Sequence, residues 1–203
     1  MNHEAPGFRI KIVQAGEPVL RQTARSLSPE EIRSPAIQSL VAHMRATMRD
    51  APGVGLAAPQ IGVPLQIAVI EDRPEYLAGI APEVLEERER TPVPFLVIVN
   101  PRIVEHSEET VEFFEGCLSV SGFSALVRRW RSVTVEYLDW EGQPQRMEAH
   151  GWPARILQHE IDHLFGNLYI DRMEPRSFST LENMSRHWRD LPVAGVREAL
   201  KRE

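Results

Sequence analysis

The sequence has little of several features that define other classes of protein. A single cysteine, Cys117, among 203 residues excludes an internal disulfide framework. The longest uninterrupted hydrophobic run covers only residues 95–99, whereas a membrane span needs about 20 apolar residues. The first 25 residues lack the apolar segment of a secretory signal, and a formal charge of −6 disfavours DNA as a partner. These absences predict a soluble, cytoplasmic protein with no membrane or DNA partner.

Length and composition set the scale of the fold. With 42% hydrophobic and 26% charged residues, the chain can bury one substantial core. We expect a main domain over residues 1–173 and an appended tail over 174–203. In the tail, Leu181, Met184 and Trp188 recur at the spacing of a short amphipathic helix.

Two segments have the start and stop signals of longer helices. Ser28 is a typical N-cap and Pro29 a typical first helical residue, and apolar residues then recur at three- and four-residue steps as far as Arg49. Residues 151–153 (GWP) open a second predicted helix, and residues 166–167 (GN) close it. The sequence therefore predicts one helix near each end of the main domain.

Short β-branched and aromatic stretches between these helices are typical of strands. They are residues 65–70, 95–99, 111–114, 125–130 and 133–138. The last of them alternates apolar and polar side chains, and residues 141–142 (EG) fit a hairpin turn after it. The charged span 71–94 is predicted to be a solvated insertion or loop. A helix, several antiparallel strands and a second helix, in this order, predict an α+β fold.

The chemistry is concentrated in the second helix, where residues 159–163 read HEIDH. His159 and His163 are one helical turn apart, so both imidazoles can reach one cation. Glu160 lies next to that face and can meet a water on the metal without being a ligand. Two core histidines and a surface acid are the alternative. Unpaired polar groups in so apolar a helix would be costly, however, and a metal satisfies them, so we predict a metal site.

The histidine pair has no third protein ligand close by in the sequence. His187 is far away in the tail, and Glu174 follows a predicted turn. The lone Cys117 follows a predicted strand, and Gly116 allows the backbone to turn tightly there. A single cysteine is more often a small buried hydrophobe. Beside an under-ligated histidine pair, we interpret its thiolate as the third ligand, a donor that suits iron or zinc.

Three segments in this order resemble the three motifs of peptide deformylase. They are residues 53–60 (GVGLAAPQ), 115–119 (EGCLS) and 158–166 (QHEIDHLFG), and the entry 18–21 (PVLR) also looks like that family's start. The resemblance covers residues 10–173. It implies mostly antiparallel strands around a central helix that carries the H-E-x-x-H motif. It also implies a hydrolase that removes the N-formyl group from the N-terminal methionine of newly synthesised proteins.

The resemblance further implies roles for individual residues. One divalent metal would be held by Cys117, His159 and His163. Fe2+ is the expected ion, with Zn2+, Ni2+ or Co2+ as workable replacements. Glu160 would act as general base and acid, taking a proton from water and passing it to the departing amine. The side-chain amide of Gln60 and the backbone N–H of Leu118 would stabilise the oxyanion.

Helical spacing places Trp152 and Ile156 on the metal-facing side of their helix. With Val54 they are predicted to line an apolar slot for the methionine side chain, and ordinary core packing is the alternative. Gly53 and Gly55 lack side chains, so substrate backbone can approach them and pair like a strand, unless they serve only the turn. The sequence thus predicts a peptide-binding cleft beside the metal.

The same helix carries Asp162, which needs a cation or hydrogen-bond donors if it is buried. Arg129 matches the family arginine expected to meet it, and Arg128, Arg131 or solvent exposure are the alternatives. The predicted ion pair would brace the metal helix against the strand that follows Cys117.

A few positions depart from the pattern of many family members. Ser121 and Arg128 stand where proline is common, and Ser124 stands where some members carry a basic residue. Recognition of the peptide backbone is therefore expected to differ in detail. Residues 121–123 (SGF) and 151–152 (GW) resemble the subtype also found in organelles. The short stretch before the family-like start favours a bacterial cytoplasmic form.

Two other functions fit part of the pattern. One is a metal-dependent peptidase with a variant third ligand, and the other is a structural-metal module without turnover. Glu160 disfavours the module because a closed structural site needs no general base. The expected partners are N-formylmethionyl nascent peptides, and the resemblance also allows the ribosome. The choice between iron and zinc, the oligomeric state and the preference beyond the first residue stay open at this point.

Overall fold

The computed structural model describes residues 10–51, 53–189 and 191–201. Its two antiparallel sheets pack around the helix Gly151–Leu164. The α-helices in these residues are α1 (Pro29–Ile32), α2 (Pro35–Asp50), α3 (Pro74–Leu77), α4 (Pro82–Glu87), α5 (Gly151–Leu164), α6 (Leu181–His187) and α7 (Val193–Lys201). The strands are β1 (Gly55–Ala57), β2 (Ile67–Asp72), β3 (Val93–His106), β4 (Thr110–Cys117), β5 (Val120–Trp130), β6 (Ser132–Leu138), β7 (Pro144–His150) and β8 (Ser179–Thr180). One sheet has the order β1-β2-β3-β6-β7 and the other β4-β5-β8. The predicted α+β class is confirmed.

Side-chain alternation in β2 divides the core between two helices. Ile67 and Val69 pack in one cluster with Met44 of α2, whereas Ala68 and Ile70 pack in another with residues of α5. Successive strand residues point to opposite faces of a sheet, so the five-stranded sheet has α2 on one face and α5 on the other. Covering both faces explains why every residue of β2 is buried and why its sequence is so hydrophobic.

The helix predicted from Ser28 to about Arg49 is interrupted. Ser28 and Glu31 form a capping box, in which Ser28 Oγ accepts from the Glu31 N–H at 3.2 Å. The first helix nevertheless ends after one turn, and Ser34 caps a second helix that begins at Pro35. Proline disfavours helical backbone in the preceding residue and has no N–H for the helix ladder. The periodic stretch therefore divides into α1 and α2.

The span 71–94 is more ordered than the predicted loop. Strand β2 continues to Asp72, and α3 and α4 follow, each with proline at its first position. Asp72 is fully buried, and its carboxylate accepts from Nε and Nη2 of Arg90 at 2.8 and 3.0 Å. The loop prediction was wrong because this bidentate pair, which joins the two ends of the span, leaves no mark on the local composition.

Each of the predicted strands has a counterpart, and β1, β7 and β8 lie outside the predicted ranges. β1 and β8 contain three and two residues, and most side chains of β7 are polar. β7 pairs with β6 across residues 141–142, so the predicted hairpin is confirmed. Short or polar strands carry too little hydrophobic pattern to be recognised, and their definition comes from pairing with a neighbour.

The C-terminal segment packs on the three-stranded sheet. The predicted short helix is α6, and a second helix, α7, follows it. Val196 of α7 is buried, and Arg197 donates to Glu174 at 2.9 Å and to Glu112 of β4 at 2.7 Å. The division of the chain after residue 173 stays a prediction. Within the three described ranges, no helix combines the length and the apolar character needed to cross a membrane.

Candidate metal centre

Helix α5 places the two predicted histidines side by side. His159 and His163 are four residues apart, and their ring centroids lie 4.9 Å apart with the planes at 85°. His163 is fully buried, and the side chain of His159 is 13% exposed. Just beyond the helix, Gly166 has a φ of +77°, and a Cβ there would lie 2.8 Å from the backbone of Arg21. Glycine at this position therefore lets the N-terminal segment close over the end of the metal helix.

The β4–β5 hairpin brings Cys117 to these histidines. β4 ends at Cys117 and β5 begins at Val120, so the thiol lies at the tip of the hairpin. Its Sγ is 3.3 Å from Nε2 of His163, and one ligand atom from each of Cys117, His159 and His163 lies within 4.8 Å of the others. Donors bound 2.0–2.3 Å from one ion lie no more than about 4.6 Å apart. The three residues predicted to share a metal therefore fit one divalent ion after a small adjustment.

Glu115, to which the sequence alone assigned no role, contacts His159 at its Nδ1. Its side chain is 4% exposed, and its Oε2 lies 3.0 Å from Nδ1 of His159. Arg129 donates to the two carboxylate oxygens at 3.0 and 2.9 Å, and Arg155 donates at 2.5 Å. Burial raises the pKa of Glu115, but Arg129 and His159 outweigh it and hold the pKa well below its usual range. A carboxylate on Nδ1 leaves Nε2 of His159 to face a metal.

Arg129 also ties this carboxylate to the metal helix. Its Nη1 lies 2.5 Å from Oδ2 of Asp162, whose side chain is 11% exposed, so the predicted ion pair is confirmed. The alternative partners Arg128 and Arg131 bind other carboxylates. Arg172 donates to both oxygens of Asp162 at 2.8 Å, which the sequence did not predict. The aspartate therefore links α5 both to β5 and to the segment that follows the helix.

Glu160 lies buried beside the donors. It is 4% exposed, and its Oε2 has no hydrogen-bond partner among the described residues. Burial raises the pKa of Glu160 to about 7, against the attraction of the charges on His159 and Arg129. A Cβ on Gly55 would lie 2.1 Å from Oε1 of Glu160. Gly55 therefore serves the close approach of β1 to this carboxylate, a reason for glycine that the sequence had not indicated.

Gln60 and Leu118 lie next to Cys117. Oε1 of Gln60 accepts from the Ala57 N–H at 2.8 Å, which fixes the orientation of the amide. Its Nε2 then lies 3.5 Å from Sγ of Cys117 and 3.3 Å from Oγ of Ser119. Leu118 follows the cysteine at the tip of the hairpin. Both residues line the cavity that opens onto the donors.

This cavity has a volume of about 390 Å³. It brings together the residues predicted to bind substrate, which are Val54, Gly55, Trp152 and Ile156. Ile156 is 3% exposed, and its side chain both lines the cavity and packs in the core cluster of α5. Residues outside the predicted set also line the cavity, among them Arg90, Phe123 and Leu181. Of the departures from the family pattern, Ser121 lines the cavity and Ser124 is buried.

The sequence analysis did not identify three charged residues around the candidate metal centre, which are Glu115, Arg155 and Arg172. The sequence positions of the first two could have indicated them. Glu115 lies two residues before Cys117 in a strand, so both side chains project from the same face. Arg155 lies four residues before His159, on the same face of α5. Arg172 carries no local signal, because it reaches the helix from a segment whose path depends on the whole fold.

Two imidazoles and one thiolate around a single ion position, with a buried carboxylate next to them, are typical of mononuclear metal-dependent hydrolases. A sequence model described as polypeptide deformylase matches residues 10–179. The chain is 45% identical over 184 residues to peptide deformylase 1 of Bifidobacterium longum, covering 91% of this chain and 82% of that protein. The chain belongs to the polypeptide deformylase family.

Two further relatives show how far the similarity extends. The chain is 49% identical over 183 residues to chloroplastic peptide deformylase 1A of Solanum lycopersicum, covering 90% of this chain and 64% of that protein. It thus spans less than two thirds of the length of this plant relative. A class I type b peptide deformylase from Acinetobacter baumannii, solved with Met-Ala-Ser bound, superposes with a TM-score of 0.73 at 33% identity. That match covers 82% of this chain and 99% of the solved chain.

Proposed function

We propose that this chain is a hydrolase of protein biosynthesis, which removes the N-formyl group from the N-terminal methionine of newly made polypeptides and releases formate. The observation that carries the proposal is the buried carboxylate of Glu160 beside three convergent donors, in the lining of a cavity of about 390 Å³. The A. baumannii relative was solved with Met-Ala-Ser bound, a peptide that begins with methionine. A substrate with an N-terminal methionine is consistent with the site of this chain and with the peptide bound to that relative.

The metal in this proposal would be held by Cys117, His159 and His163. When bound, a divalent ion lowers the pKa of a coordinated water and polarises a carbonyl oxygen. Thiolate and imidazole donors suit both iron and zinc. We propose Fe2+ as the native ion, with Zn2+, Ni2+ and Co2+ as replacements. Metal analysis of protein purified without air, together with the loss of activity on exposure to air, checks this choice.

Glu160 would move the proton in the reaction. Its Oε2, which has no partner among the described residues, is free to accept a proton from the attacking water. The same oxygen would then transfer that proton to the amine as the formyl C–N bond breaks. Burial raises the pKa of Glu160 to about 7, which suits a group that must both take and give a proton near neutral pH.

Gln60 and Leu118 would stabilise the negative oxygen that develops on the formyl carbon. The amide of Gln60 is oriented in advance by the Ala57 N–H, so its Nε2 already faces the side of Cys117. The backbone N–H of Leu118 would supply the second donor. Losing one donor of this kind typically raises the barrier by about 3 kcal/mol.

The methionine side chain would occupy the apolar part of the cavity. Val54, Trp152 and Ile156 supply that lining, and Ile156 is the most buried of them. Gly55 would leave room for the substrate backbone as well as for Glu160. If the assignment is right, Trp152→Ala reduces the preference for methionine over a small first residue.

The test of the proposed function is formate release from formyl-Met-Ala-Ser, with unformylated Met-Ala-Ser as the comparison substrate. We expect formate only from the first peptide. Glu160→Gln should retain its metal and lower kcat by about 10²–10⁴, the range for loss of a general base. Glu148→Gln, on exposed β7 and outside the cavity, is the matched control and should leave kcat unchanged.

Two results would contradict the proposal. Cleavage of the Met–Ala bond without formate release would make the chain a peptidase. Full activity of Glu160→Gln with bound metal would remove the proposed proton carrier.

Other expectations concern the cellular setting. We propose a cytoplasmic location, with the ribosome as a partner because its nascent chains would be the substrates. The catalytic domain would cover residues 1–173, with the C-terminal segment packed on it through β8. Cell fractionation and co-sedimentation with ribosomes check the first two.

A further inference from the structure

One wall of the cavity comes from a residue beyond the family match. Leu181 lines the cavity, whereas the match to the polypeptide deformylase model ends at residue 179. The other lining residues lie between 53 and 160. The C-terminal segment of this chain therefore contributes directly to the site that the motifs build.

The backbone before Leu181 is fixed against the sheet. Ser179 and Thr180 form β8, which pairs with Ser124 and Phe123 of β5. The ring of Phe178 stacks on Phe123 with centroids 4.9 Å apart and planes at 7°. Such cross-strand pairing and ring stacking hold a side chain in one place.

Hydrogen bonds on both sides of β8 add to this anchoring. Oγ of Ser177 accepts from the Leu126 N–H at 2.8 Å, just before the strand. Oγ1 of Thr180 caps α6 by accepting from the Asn183 N–H at 3.2 Å. Leu181, as the first residue of α6, thus has a defined position relative to β5.

Leu181 and Phe123 together present an apolar surface on the exposed part of the cavity wall. Both line it, and they remain 47% and 38% exposed. Other apolar residues of the lining are more covered, and Ile156 is only 3% exposed. Large apolar side chains left exposed beside a binding site are typical of surfaces that a ligand covers.

Building on the proposed function, we propose that Leu181 and Phe123 form a subsite for an apolar side chain on one of the two residues that follow formyl-methionine. The reacting group and the methionine side chain would lie beside the covered residues Glu160 and Ile156. The next residues of the peptide would then extend toward the exposed part of the cavity wall, which contains Leu181. The subsite would make this chain favour formylated N-termini with an apolar second or third residue.

The test compares three formylated tripeptides: formyl-Met-Ser-Ser, formyl-Met-Leu-Ser and formyl-Met-Ser-Leu. We expect kcat/KM for at least one leucine-containing peptide to exceed that for formyl-Met-Ser-Ser by about fivefold to tenfold, the low end for an apolar group entering a pocket. In Leu181→Ala this ratio should fall below about twofold. Leu181→Met, which keeps a long apolar side chain, should retain most of the ratio.

Leu191→Ala is the matched control. Leu191 lies in the same segment and is 45% exposed, but it lines a different cavity. We expect this variant to keep the wild-type ratio. Thermal unfolding of each variant shows whether the substitution has disturbed the fold.

Binding of the product peptides separates failure of the subsite from failure of the proposed function. Isothermal titration of Met-Ser-Leu, Met-Leu-Ser and Met-Ser-Ser into wild type and Leu181→Ala requires no turnover. A leucine preference that Leu181→Ala abolishes supports the subsite, even if no formate is released. Equal affinities and equal kcat/KM values for all peptides in wild type would overturn it. So would a preference that Leu181→Ala leaves intact, or an equal loss on every peptide.

Discussion

Two arginine-centred ion networks stabilise different parts of this molecule and differ mainly in burial. Arg129 joins Glu115 to Asp162, and the three side chains are 3%, 4% and 11% exposed. Arg197 joins Glu112 to Glu174, and these are 29%, 14% and 29% exposed. Both networks place one guanidinium between two carboxylates. The first holds the metal helix, and the second holds the C-terminal helix α7.

The difference in burial decides what each network does. A buried charge that loses its partner keeps its full desolvation penalty, whereas an exposed one regains water. The Arg129 network is therefore obligatory for the geometry of the centre, and through Glu115 it also fixes His159. We expect the Arg197 network to contribute little to folding and to fix mainly the position of the tail.

The largest effect is expected from Glu115→Gln. This change removes the negative charge to which the buried Arg129 and Arg155 both donate. We expect the free energy of unfolding to fall by about 3–5 kcal/mol, as for a broken buried ion pair. Metal affinity should fall about tenfold to 100-fold, because the partner of His159 Nδ1 is weakened. Urea denaturation of the metal-free protein and a metal titration measure the two effects.

Glu112→Gln is the control for this prediction. It makes the same substitution three residues earlier in β4, within the partly exposed network. We expect it to lower the free energy of unfolding by no more than about 1 kcal/mol. Equal losses in the two variants would contradict the distinction between the networks.

An intermediate effect is expected from Asp162→Asn. The amide still accepts one hydrogen bond, and Arg129 keeps both bonds to Glu115. Arg172 is 48% exposed and can turn to water. We expect a loss of about 1–3 kcal/mol in the free energy of unfolding, the range for hydrogen bonds to a charged group. A loss as large as that of Glu115→Gln would show that Asp162 is the centre of the network.

The smallest effect is expected from Arg197→Gln. Its partners are partly exposed, so the free energy of unfolding should change by less than about 1 kcal/mol. Amide hydrogens of α7 should nevertheless exchange faster, because this helix loses its anchor to β4. A loss above about 3 kcal/mol would mean that the tail belongs to the folding core.

The metal centre was largely predictable because its signal is local. Helical periodicity alone puts His159 and His163 on one face. No third ligand lies close to them in the sequence, which left Cys117 as the candidate. The Asp162–Arg129 pair followed from the family resemblance. The roles of Glu160, Gln60 and Leu118 in the reaction stay predictions that the kinetic experiments test.

What could not be predicted depends on contacts between distant segments. Asp72 and Arg90 make an ordered unit of a span whose charged composition indicates a loop. Arg172 reaches the metal helix, and Leu181 reaches the cavity, from segments that carry no motif. The interruption at Pro35 could have been predicted, since proline at that place ends the preceding turn.

The most direct test of the account is the absorption spectrum of the Co2+-loaded protein. We expect one equivalent of bound Co2+ and an intense near-ultraviolet band from charge transfer between the Cys117 thiolate and the ion. In Cys117→Ala that band should disappear. One equivalent of bound Co2+ without the band in wild type, or an unchanged band in Cys117→Ala, would contradict the claim that this sulfur and the two imidazoles share one metal.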